Sequence, residues 1–385
     1  MRFVPRRLAP QLERAARSFP ALILTGPRRA GKTTLLRKLF PGASYHLLED
    51  PDVVARVRAD PRGFLDDVKL PAILDEIQNV PELFGYVRTR IDAAPRRTGR
   101  WILTGSQEAG LMQRVTESMA GRAAVFQLLP LSTRESPKVT LLRGGFPEVV
   151  ARPSAASTWF RSYVQTYLER DVRAVSAIRD LSTFRRFVAL VASRCGQILN
   201  KSDLAAPLGV SIPTVTEWLS ILEITGQILL VPPFFESFGK RLIKSPKVYF
   251  VDSGLVCHLL GVETQKALVQ SPFRGPLFEG FVAAEIVKLQ IDSGHARQIY
   301  FFRDQQGLEV DFVVPRGAGK LWLVEAKASR TVHPSDAASV ARLAAAIDRY
   351  AVEAFVVHDA GGADAARTAL RPGVKAVNLE QLLGR

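Results

Sequence analysis

The most informative segment of the sequence is Gly26-Pro27-Arg28-Arg29-Ala30-Gly31-Lys32-Thr33. It fits the pattern G-x4-G-K-[ST] completely, and it lies between an apolar run and a segment with helical character. Glycines let the backbone curl so that its N–H groups face a phosphate, and the helix N-terminus adds a favourable dipole. A chance glycine-rich turn is the alternative. The pattern predicts a phosphate-binding loop formed by Gly26, Pro27, Arg28, Arg29, Ala30, Gly31, Lys32, Thr33 and Thr34.

Two residues of this loop have distinct predicted roles. The ammonium of Lys32 is expected to reach the β- and γ-phosphates of a bound nucleotide, and the Thr33 hydroxyl is expected to bind Mg²⁺. The predicted cofactors are therefore ATP and Mg²⁺.

The apolar run that ends in Asp75 and Glu76 supplies the second half of the site. It follows the loop by one strand unit, so Asp75 is predicted near the metal, and Glu76 is predicted to polarise an attacking water. By itself, such a run usually marks only a strand that meets solvent.

Three further polar residues are candidates for contact with the γ-phosphate. Ser106 follows a third apolar run and is predicted to sense this phosphate, with a simple helix cap as the alternative. Arg122, and after it Arg170, could neutralise charge in the transition state, in cis or from a neighbouring subunit. A surface cation is the alternative for both arginines.

Short apolar runs alternate with amphipathic segments over the first 130 or so residues, which predicts an α/β unit with a buried parallel sheet. A mainly helical region follows, and then a helix, three strands, a second helix and a strand. These shifts predict three domains, at residues 1–150, 151–270 and 271–385. The predicted strands of the first are Leu22–Thr25, Tyr45–Leu48, Ala72–Leu74, Trp101–Thr104 and Ala124–Leu129.

Composition restricts the partners. The 385 residues carry a formal net charge of +15, which favours polyanions, DNA first, although a general arginine bias would give the same excess. No run approaches the ~18 apolar residues of a membrane span, and no secretory signal is present. Two distant cysteines suggest neither a disulfide framework nor a zinc site. A cytoplasmic protein without a membrane partner is expected.

Residues 201–222 have the pattern of a helix-turn-helix, with a turn at Gly209 and a second helix capped by Ser211. A DNA-binding winged helix and a packing module between domains fit equally well, because the second helix offers no Lys or Arg to guanine edges. The cations that could contact phosphate come later, at Lys240, Arg241, Lys244 and Lys247.

A second possible active site lies in the last third of the chain. If residues 309–326 form a hairpin about residue 318, Asp311 faces Glu325, and Lys327 shares their side of the sheet. Two carboxylates and a lysine suit metal-assisted phosphodiester hydrolysis, with Glu279, or else Glu285, completing the metal site. A charge ladder in which Glu309 faces Lys327 is the alternative.

The order of these motifs resembles that of a widespread group of prokaryotic AAA+-type, archaeal-ATPase-like proteins. In that group the ATPase is fused to a C-terminal region long labelled a domain of unknown function. The resemblance rests on the loop, the Leu-Asp-Glu-Ile-Gln run and the Glu-Val-Asp-Phe and Glu-Ala-Lys pair. Further matching motifs are Thr104-Gly105-Ser106, Ala120-Gly121-Arg122, Leu129-Pro130-Leu131-Ser132, Gly144-Gly145-Phe146-Pro147-Glu148 and Phe250-Val251-Asp252-Ser253-Gly254-Leu255.

The resemblance implies three units: a P-loop NTPase sheet, a winged-helix module, and an α/β domain similar to PD-(D/E)xK restriction-endonuclease folds. In the terms of that fold, Asp311, Glu325 and Lys327 match the nuclease motif. The segment between Ser132 and Gly144 is short for the group, so the resemblance does not define the shape of the lid region.

Three functions follow from these patterns. The first is a Mg²⁺-dependent ATPase that acts on duplex or branched DNA, with a C-terminal domain that binds or cuts DNA. It would act as a homo-oligomer, of which a ring is one form. The second is a nucleotide switch that acts through protein partners. The third is a nuclease gated by ATP.

Overall fold

The apolar runs of the N-terminal third form a five-stranded parallel sheet in the order β2-β3-β4-β1-β5 in the computed structural model. The structure describes residues 3–105, 118–168, 181–234, 245–360 and 368–384. All five predicted strands are confirmed, with ends that shift by one or two residues. Their bounds are β1 Ala21–Thr25, β2 Ser44–Leu47, β3 Ala72–Asp75, β4 Trp101–Thr104 and β5 Ala123–Gln127.

The strand order explains how distant motifs reach one edge of the sheet. Strand β1 is buried along its whole length because it lies between β4 and β5, and helices cover the sheet. All five strands are parallel, so their carboxyl ends share an edge that carries the loop after β1 and the residues that end β3 and β4. The helices of this unit are α1 Ala9–Ser18, α2 Lys32–Leu39, α3 Pro51–Ala59, α4 Pro61–Asp67 and α5 Leu83–Ala93.

The middle of the chain contains the predicted helix, turn and helix. Gly209 turns the chain with φ 65°, and the Ser211 side chain accepts a hydrogen bond from the Thr214 amide at the start of the second helix. Several apolar side chains of this segment are buried, among them Leu204, Leu208, Val215, Leu219 and Leu222. The elements are α6 Pro147–Ala151, α7 Ala156–Tyr163, α8 Leu181–Ser193, α9 Lys201–Ala205, α10 Ile212–Ile224 and the antiparallel pair β6 Ile228–Val231 and β7 Lys247–Phe250.

The C-terminal part is a six-stranded mixed sheet in the order β12-β13-β11-β10-β9-β8. The first predicted helix and the four predicted strands of this part are confirmed. Its helices are α11 Ser253–Leu259, α12 Gln265–Gln270, α13 Arg274–Asp292, α14 Ala338–Ala346 and α15 Leu379–Leu383. Its strands are β8 Tyr300–Arg303, β9 Glu309–Pro315, β10 Lys320–Lys327, β11 Ala351–His358, β12 Thr368–Arg371 and β13 Val374–Val377.

Two features of this part differ from the prediction. The second predicted helix, expected over Pro334–Tyr350, starts as a 3₁₀ turn at Pro334–Ala337 and ends at Ala346, because the chain extends before β11. Strands β12 and β13 were not predicted, since each is short and gains its stability from pairing at the edge of the sheet.

The predicted hairpin register is confirmed. Pro315 pairs with Leu321 and Phe312 pairs with Val324, so paired residue numbers mirror about residue 318 as expected. One continuous hydrophobic cluster extends from Leu129 to Leu383, so the middle and C-terminal parts share a core. Among the described helices, none is long and apolar enough to cross a membrane.

Candidate functional site

The loop between β1 and α2 has the backbone of an anion cradle. Gly26, Arg29 and Gly31 all have positive φ values, of 136°, 64° and 97°, which turn successive amides toward one concavity. Gly26 is required for a second reason, because a Cβ at this position would lie 2.2 Å from the carbonyl oxygen of Leu128. The Lys32 ammonium closes the loop by donating to the carbonyls of Gly26 and Pro27, at 3.0 and 3.1 Å.

Asp75 is the polar centre of this edge of the sheet. Its carboxylate is 2% exposed and accepts hydrogen bonds from the hydroxyls of Thr33, at 2.8 Å, and Tyr45, at 2.7 Å. The Thr104 hydroxyl at the end of β4 donates to the other carboxylate oxygen. Burial raises the pKa of Tyr45, and the hydrogen bond to Asp75 adds to this, so its hydroxyl stays a donor.

These residues fit a divalent cation. Asp75 is a buried carboxylate whose partners are neutral hydroxyls, and within the described ranges it forms no ion pair. A buried carboxylate with no cation is costly, and a hydroxyl beside it is the usual second protein ligand of Mg²⁺ in this kind of loop. Thr33 and Asp75 lie together as predicted.

Glu76 has a left-handed backbone, with φ 60° and ψ 46°, which is unusual for any residue except glycine. The Asn79 side chain donates to the Glu76 carbonyl at 3.0 Å, and the Gln78 side chain donates to its carboxylate. The guanidinium of Arg28 lies 3.9 Å from the same carboxylate. The predicted base is therefore linked directly to the phosphate loop.

An arginine that the sequence analysis missed supports the loop from behind. Arg6 is 7% exposed and donates to the carbonyls of Ala30, at 2.9 Å, and Leu129, at 2.6 Å. Its third group, Nε, donates to Glu135 at 3.0 Å. No local pattern marks Arg6, because each of its partners is at least 24 residues away in the sequence.

A cleft of about 800 Å³ opens beside the loop, between the N-terminal segment and α6. Its walls are largely apolar, and it begins where the phosphate loop meets α2. The lining residues include Phe3, Val4, Arg6, Ala30, Gly31, Thr34, Leu131, Pro147 and Val150. Three of the predicted nucleotide contacts, Ala30, Gly31 and Thr34, are among them.

The remaining predicted γ-phosphate contacts differ in their placement. Ser106 and Arg170 lie outside the described residues, whereas Thr104, two residues before Ser106, contacts Asp75 directly. Arg122 precedes β5, and its carbonyl accepts from the Ala21 amide at the start of β1. It is therefore one strand length, about 13 Å, from the loop in its own subunit. The cis role of Arg122 is excluded by this geometry, and its guanidinium binds Asp92 at 2.6 and 3.0 Å.

The second predicted site brings together residues from three elements. Glu279 of α13, Glu309 and Asp311 of β9, and Glu325 and Lys327 of β10 lie on one side of the mixed sheet. The Asp311 carboxylate accepts from the Ala326 amide at 2.9 Å, and Lys327 binds Glu325 at 2.8 Å. The alternative ladder is wrong, since Glu309 binds Arg303 and Lys247 while Lys327 binds Glu325.

Electrostatics of this cluster reflect crowded carboxylates. Burial raises the pKa of Glu279 to about 8 and that of Glu325 to about 7, and the charge of Asp311 adds to both. Burial opposes the charged form of Lys327, but Glu325 and Asp311 outweigh it and raise the pKa of Lys327. Glu285, the alternative to Glu279, points away and binds Thr133 and Lys288.

The predicted metal set does not form. In the parts of the chain that the structure describes, no three His, Cys, Asp or Glu side chains converge as metal ligands. The physical reason is Lys247, whose ammonium lies among Glu279, Glu309 and Asp311. Glu279, Asp311 and Glu325 therefore do not fit Mg²⁺ in this arrangement.

Lys247 also corrects the prediction of the DNA contacts. Lys247 is 3% exposed, so it cannot reach a DNA phosphate from this position. Lys240, Arg241 and Lys244 lie outside the described residues. Other basic side chains line a cleft of about 490 Å³ between the ATPase unit and the C-terminal sheet, among them Arg134, His295 and Arg316.

Residues 18–136 match the family model described as an AAA domain. Two further models, DUF8612 and DUF4143, both described as domains of unknown function, match residues 134–266 and 274–382. With the loop geometry and the parallel sheet, the first match defines an ATPase of the AAA P-loop class.

The particular family follows from the relatives of the whole chain. Two uncharacterized proteins, Rv2008c of Mycobacterium tuberculosis and Mb2031c of Mycobacterium bovis, are each 33% identical to this chain over 316 residues. The matches cover 80% of this chain and 70% of each relative. This protein belongs to the family of these two mycobacterial proteins.

Solved structures show a more distant likeness. The Walker-type ATPase paby2304 of Pyrococcus abyssi has 15% identity and a TM-score of 0.47, covering 67% of this chain and 96% of that one. The RuvB Holliday junction branch migration motor of Thermotoga maritima has 16% identity and a TM-score of 0.33, covering 58% and 89%. Both TM-scores are low, and the class rests on the family match and the loop geometry.

Proposed function

We propose that this protein is a Mg²⁺-dependent ATPase that acts on DNA, remodelling duplex or branched DNA or moving along it. The observation that carries the ATPase part is the contact between the Thr33 hydroxyl and the buried Asp75 carboxylate, beside a loop closed by Lys32. Lys32 would supply a cation for the phosphates, and Asp75 would supply a carboxylate for the metal.

The nucleotide would lie along the loop with its base in the cleft of about 800 Å³. Concave, largely apolar clefts with a few polar groups are typical nucleoside sites. The triphosphate would face the loop amides, and Lys32 would exchange its bonds to the Gly26 and Pro27 carbonyls for phosphate oxygens.

Hydrolysis would depend on Glu76 and on the ligands of the metal. Mg²⁺, when bound, neutralises charge on the β- and γ-phosphates, and Thr33 and Asp75 would hold it. The Glu76 carboxylate would polarise the attacking water, with Gln78 fixing its orientation. Thr104 would fix Asp75 from the neighbouring strand.

Support for a DNA substrate comes from charge. The chain carries +15, and the cleft of about 490 Å³ is lined by two guanidiniums, that of Arg134 in the ATPase unit and that of Arg316 after β9. Burial lowers the pKa of Arg134, with Arg7 adding to the shift and Asp292 opposing it. Burial likewise lowers the pKa of Arg316, with Glu353 opposing the shift and Arg134 adding to it. A phosphate in this cleft would pair with both guanidiniums without reading sequence.

The test is Mg²⁺-dependent ATP hydrolysis measured with and without duplex, single-stranded and junction DNA. Wild type is compared with Glu76→Gln and with Glu82→Gln, which removes an exposed carboxylate six residues away. We expect DNA to stimulate ATP hydrolysis by wild type and by Glu82→Gln, whereas Glu76→Gln should be inactive. The affinity for DNA should fall steeply as the salt concentration rises. If no DNA stimulates hydrolysis, or if the affinity for DNA does not change with salt, the proposal that this protein acts on DNA is contradicted.

One observation favours a nucleotide switch with a protein partner as the second candidate. On the outer face of α10, Ile212 is 47% exposed. Ile212 lines a shallow hollow together with Pro213, Thr216 and Ile224, and no Lys or Arg is among the described residues that line it. Such a face suits a protein better than DNA. If no DNA changes the rate of ATP hydrolysis while Glu76-dependent turnover is intact, the nucleotide switch becomes the favoured function.

A further inference from the structure

Lys247 is the first residue of β7, in the middle part of the chain, yet its ammonium lies in the C-terminal carboxylate cluster. The Nζ atom is 2.7 Å from Glu309, 3.0 Å from Glu279 and 3.5 Å from Asp311. The lysine is 3% exposed, so these contacts form away from solvent. One ammonium therefore pairs with three acids from two different elements.

The position of this ammonium is fixed by the strand that carries it. Lys247 pairs with Val231 on one side and bridges to Ile198 on the other, so β7 is held at both edges. Tyr249, two residues further on and on the same face, donates its hydroxyl to Glu279. The strand thus presents an ammonium and a hydroxyl to one carboxylate, which a mobile surface lysine would not do.

A divalent cation would need the same space. Mg²⁺ requires oxygen ligands at about 2.0–2.1 Å in a near-octahedral arrangement, which an ammonium between Glu279 and Asp311 prevents by occupancy and by repulsion. The other lysine does not compete for this space, because Lys327 binds Glu325 at 2.8 Å.

We infer that Lys247 is the resident cation of this cluster, and that the cluster joins the middle and C-terminal parts instead of holding a metal for DNA cleavage. The inference refines the proposed function at one point, because it makes the C-terminal part a unit that binds DNA without cutting it. Strand cleavage would require Lys247 to leave, which means moving β7. The lysine is a built-in substitute for the metal that the sequence motif predicts.

The experiment is a Mn²⁺ titration of the full chain without nucleotide, followed by the EPR signal of free Mn²⁺. Wild type is compared with Asp311→Asn, with Lys247→Met, and with the double variant. Lys320→Met, an exposed lysine at the start of β10, is the matched control. We expect the same Mn²⁺ stoichiometry for wild type, Asp311→Asn and Lys320→Met. Lys247→Met is expected to gain one Mn²⁺ that the double variant loses.

Two outcomes would overturn the inference. A Mn²⁺ site in wild type that Asp311→Asn removes would show that the cluster takes a metal beside Lys247. A folded Lys247→Met protein that gains no Mn²⁺ would show that the lysine is not what excludes it. If Lys247→Met does not fold, the comparison of wild type with Asp311→Asn still decides. Neither readout uses ATP or DNA, so failure of the proposed function would appear separately, in the hydrolysis assay.

Discussion

Both the backbone conformation and the packing at Gly26 require a glycine. Its φ of 136° is open to glycine but strained for other residues, and a Cβ would meet the Leu128 carbonyl at 2.2 Å. We predict that Gly26→Ala abolishes ATP binding and lowers the free energy of unfolding by about 2 kcal/mol or more. Gly42→Ala is the control, because a Cβ there meets nothing within 4 Å. Fluorescent-nucleotide binding and chemical denaturation check both, and normal ATP affinity in Gly26→Ala would contradict the prediction.

The Gln78 side chain contacts the Glu76 carboxylate, and we expect it to affect hydrolysis through Glu76. Glu76 is held in a left-handed conformation that costs about 1–3 kcal/mol, and the Gln78 amide fixes its carboxylate. We predict that Gln78→Ala lowers kcat roughly tenfold or more while the Kd for ATP stays near that of wild type. Gln78→Glu, which keeps length but repels Glu76, should be no better. Equal loss of ATP affinity would mean that Gln78 shapes the loop instead.

Helix α13 links the two sites at the scale of an element. Near its end it contacts the ATPase unit, where Lys288 donates to the Leu131 carbonyl at 3.1 Å and Glu285 accepts from Thr133. Near its start it carries Glu279 of the carboxylate cluster. A single helix of 19 residues therefore contacts both the segment after β5 and the C-terminal sheet.

The last residue of this helix should make stability depend on pH. Burial raises the pKa of Asp292 to about 7, and the charge of Glu135 contributes; the negative end of the helix dipole acts in the same direction. The folded pKa is above the unfolded value of about 3.9, so the folded state binds the proton more tightly. Stability is therefore lost as pH rises from about 4 to about 7.

Asp292→Asn should remove that loss. We expect the variant to gain in melting temperature over wild type at pH 8 and to gain less at pH 5. The exposed Asp348→Asn serves as control and should follow wild type at both values. Differential scanning fluorimetry across this range measures the effect. A gain that is the same at pH 5 and pH 8 would contradict the assigned titration.

Assembly is the question at the scale of the whole molecule. Arg122 lies at the edge of the sheet opposite its own loop, and its partner Asp92 is exposed, so its only route to a γ-phosphate is a neighbouring copy. We predict that Arg122→Ala is inactive alone. Mixing it with Glu76→Gln should restore part of the ATPase, because some interfaces then combine an intact Glu76 with an intact Arg122.

The control for this mixing is Arg96→Ala, an exposed arginine on the same unit, which should be active alone. ATP hydrolysis is followed as the ratio of the two variants changes at constant total protein. Full activity of Arg122→Ala alone would exclude a finger role. Inactivity of every mixture, with both proteins folded, would leave Arg122 without a function in trans.

The local elements of this protein could be predicted from its sequence. The glycine-rich loop, the five apolar runs and the mirror register of the β9–β10 hairpin are each set by residues close in the chain, whose spacing fixes backbone geometry. Thr33 and Asp75 are 42 residues apart, but they could be expected close together because each lies at the edge formed by the carboxyl ends of the strands in one parallel sheet.

The contacts between those elements follow from the packing of the whole chain and not from local sequence. Arg6 reaches Glu135 across 129 residues of sequence, and Lys247, expected on DNA, is buried among the carboxylates expected to hold a metal. Strands β12 and β13 likewise depend on an edge that distant residues create. Side-chain partners far apart in the chain leave no periodic pattern, because they are chosen by the packing of whole units and the need to neutralise each buried charge.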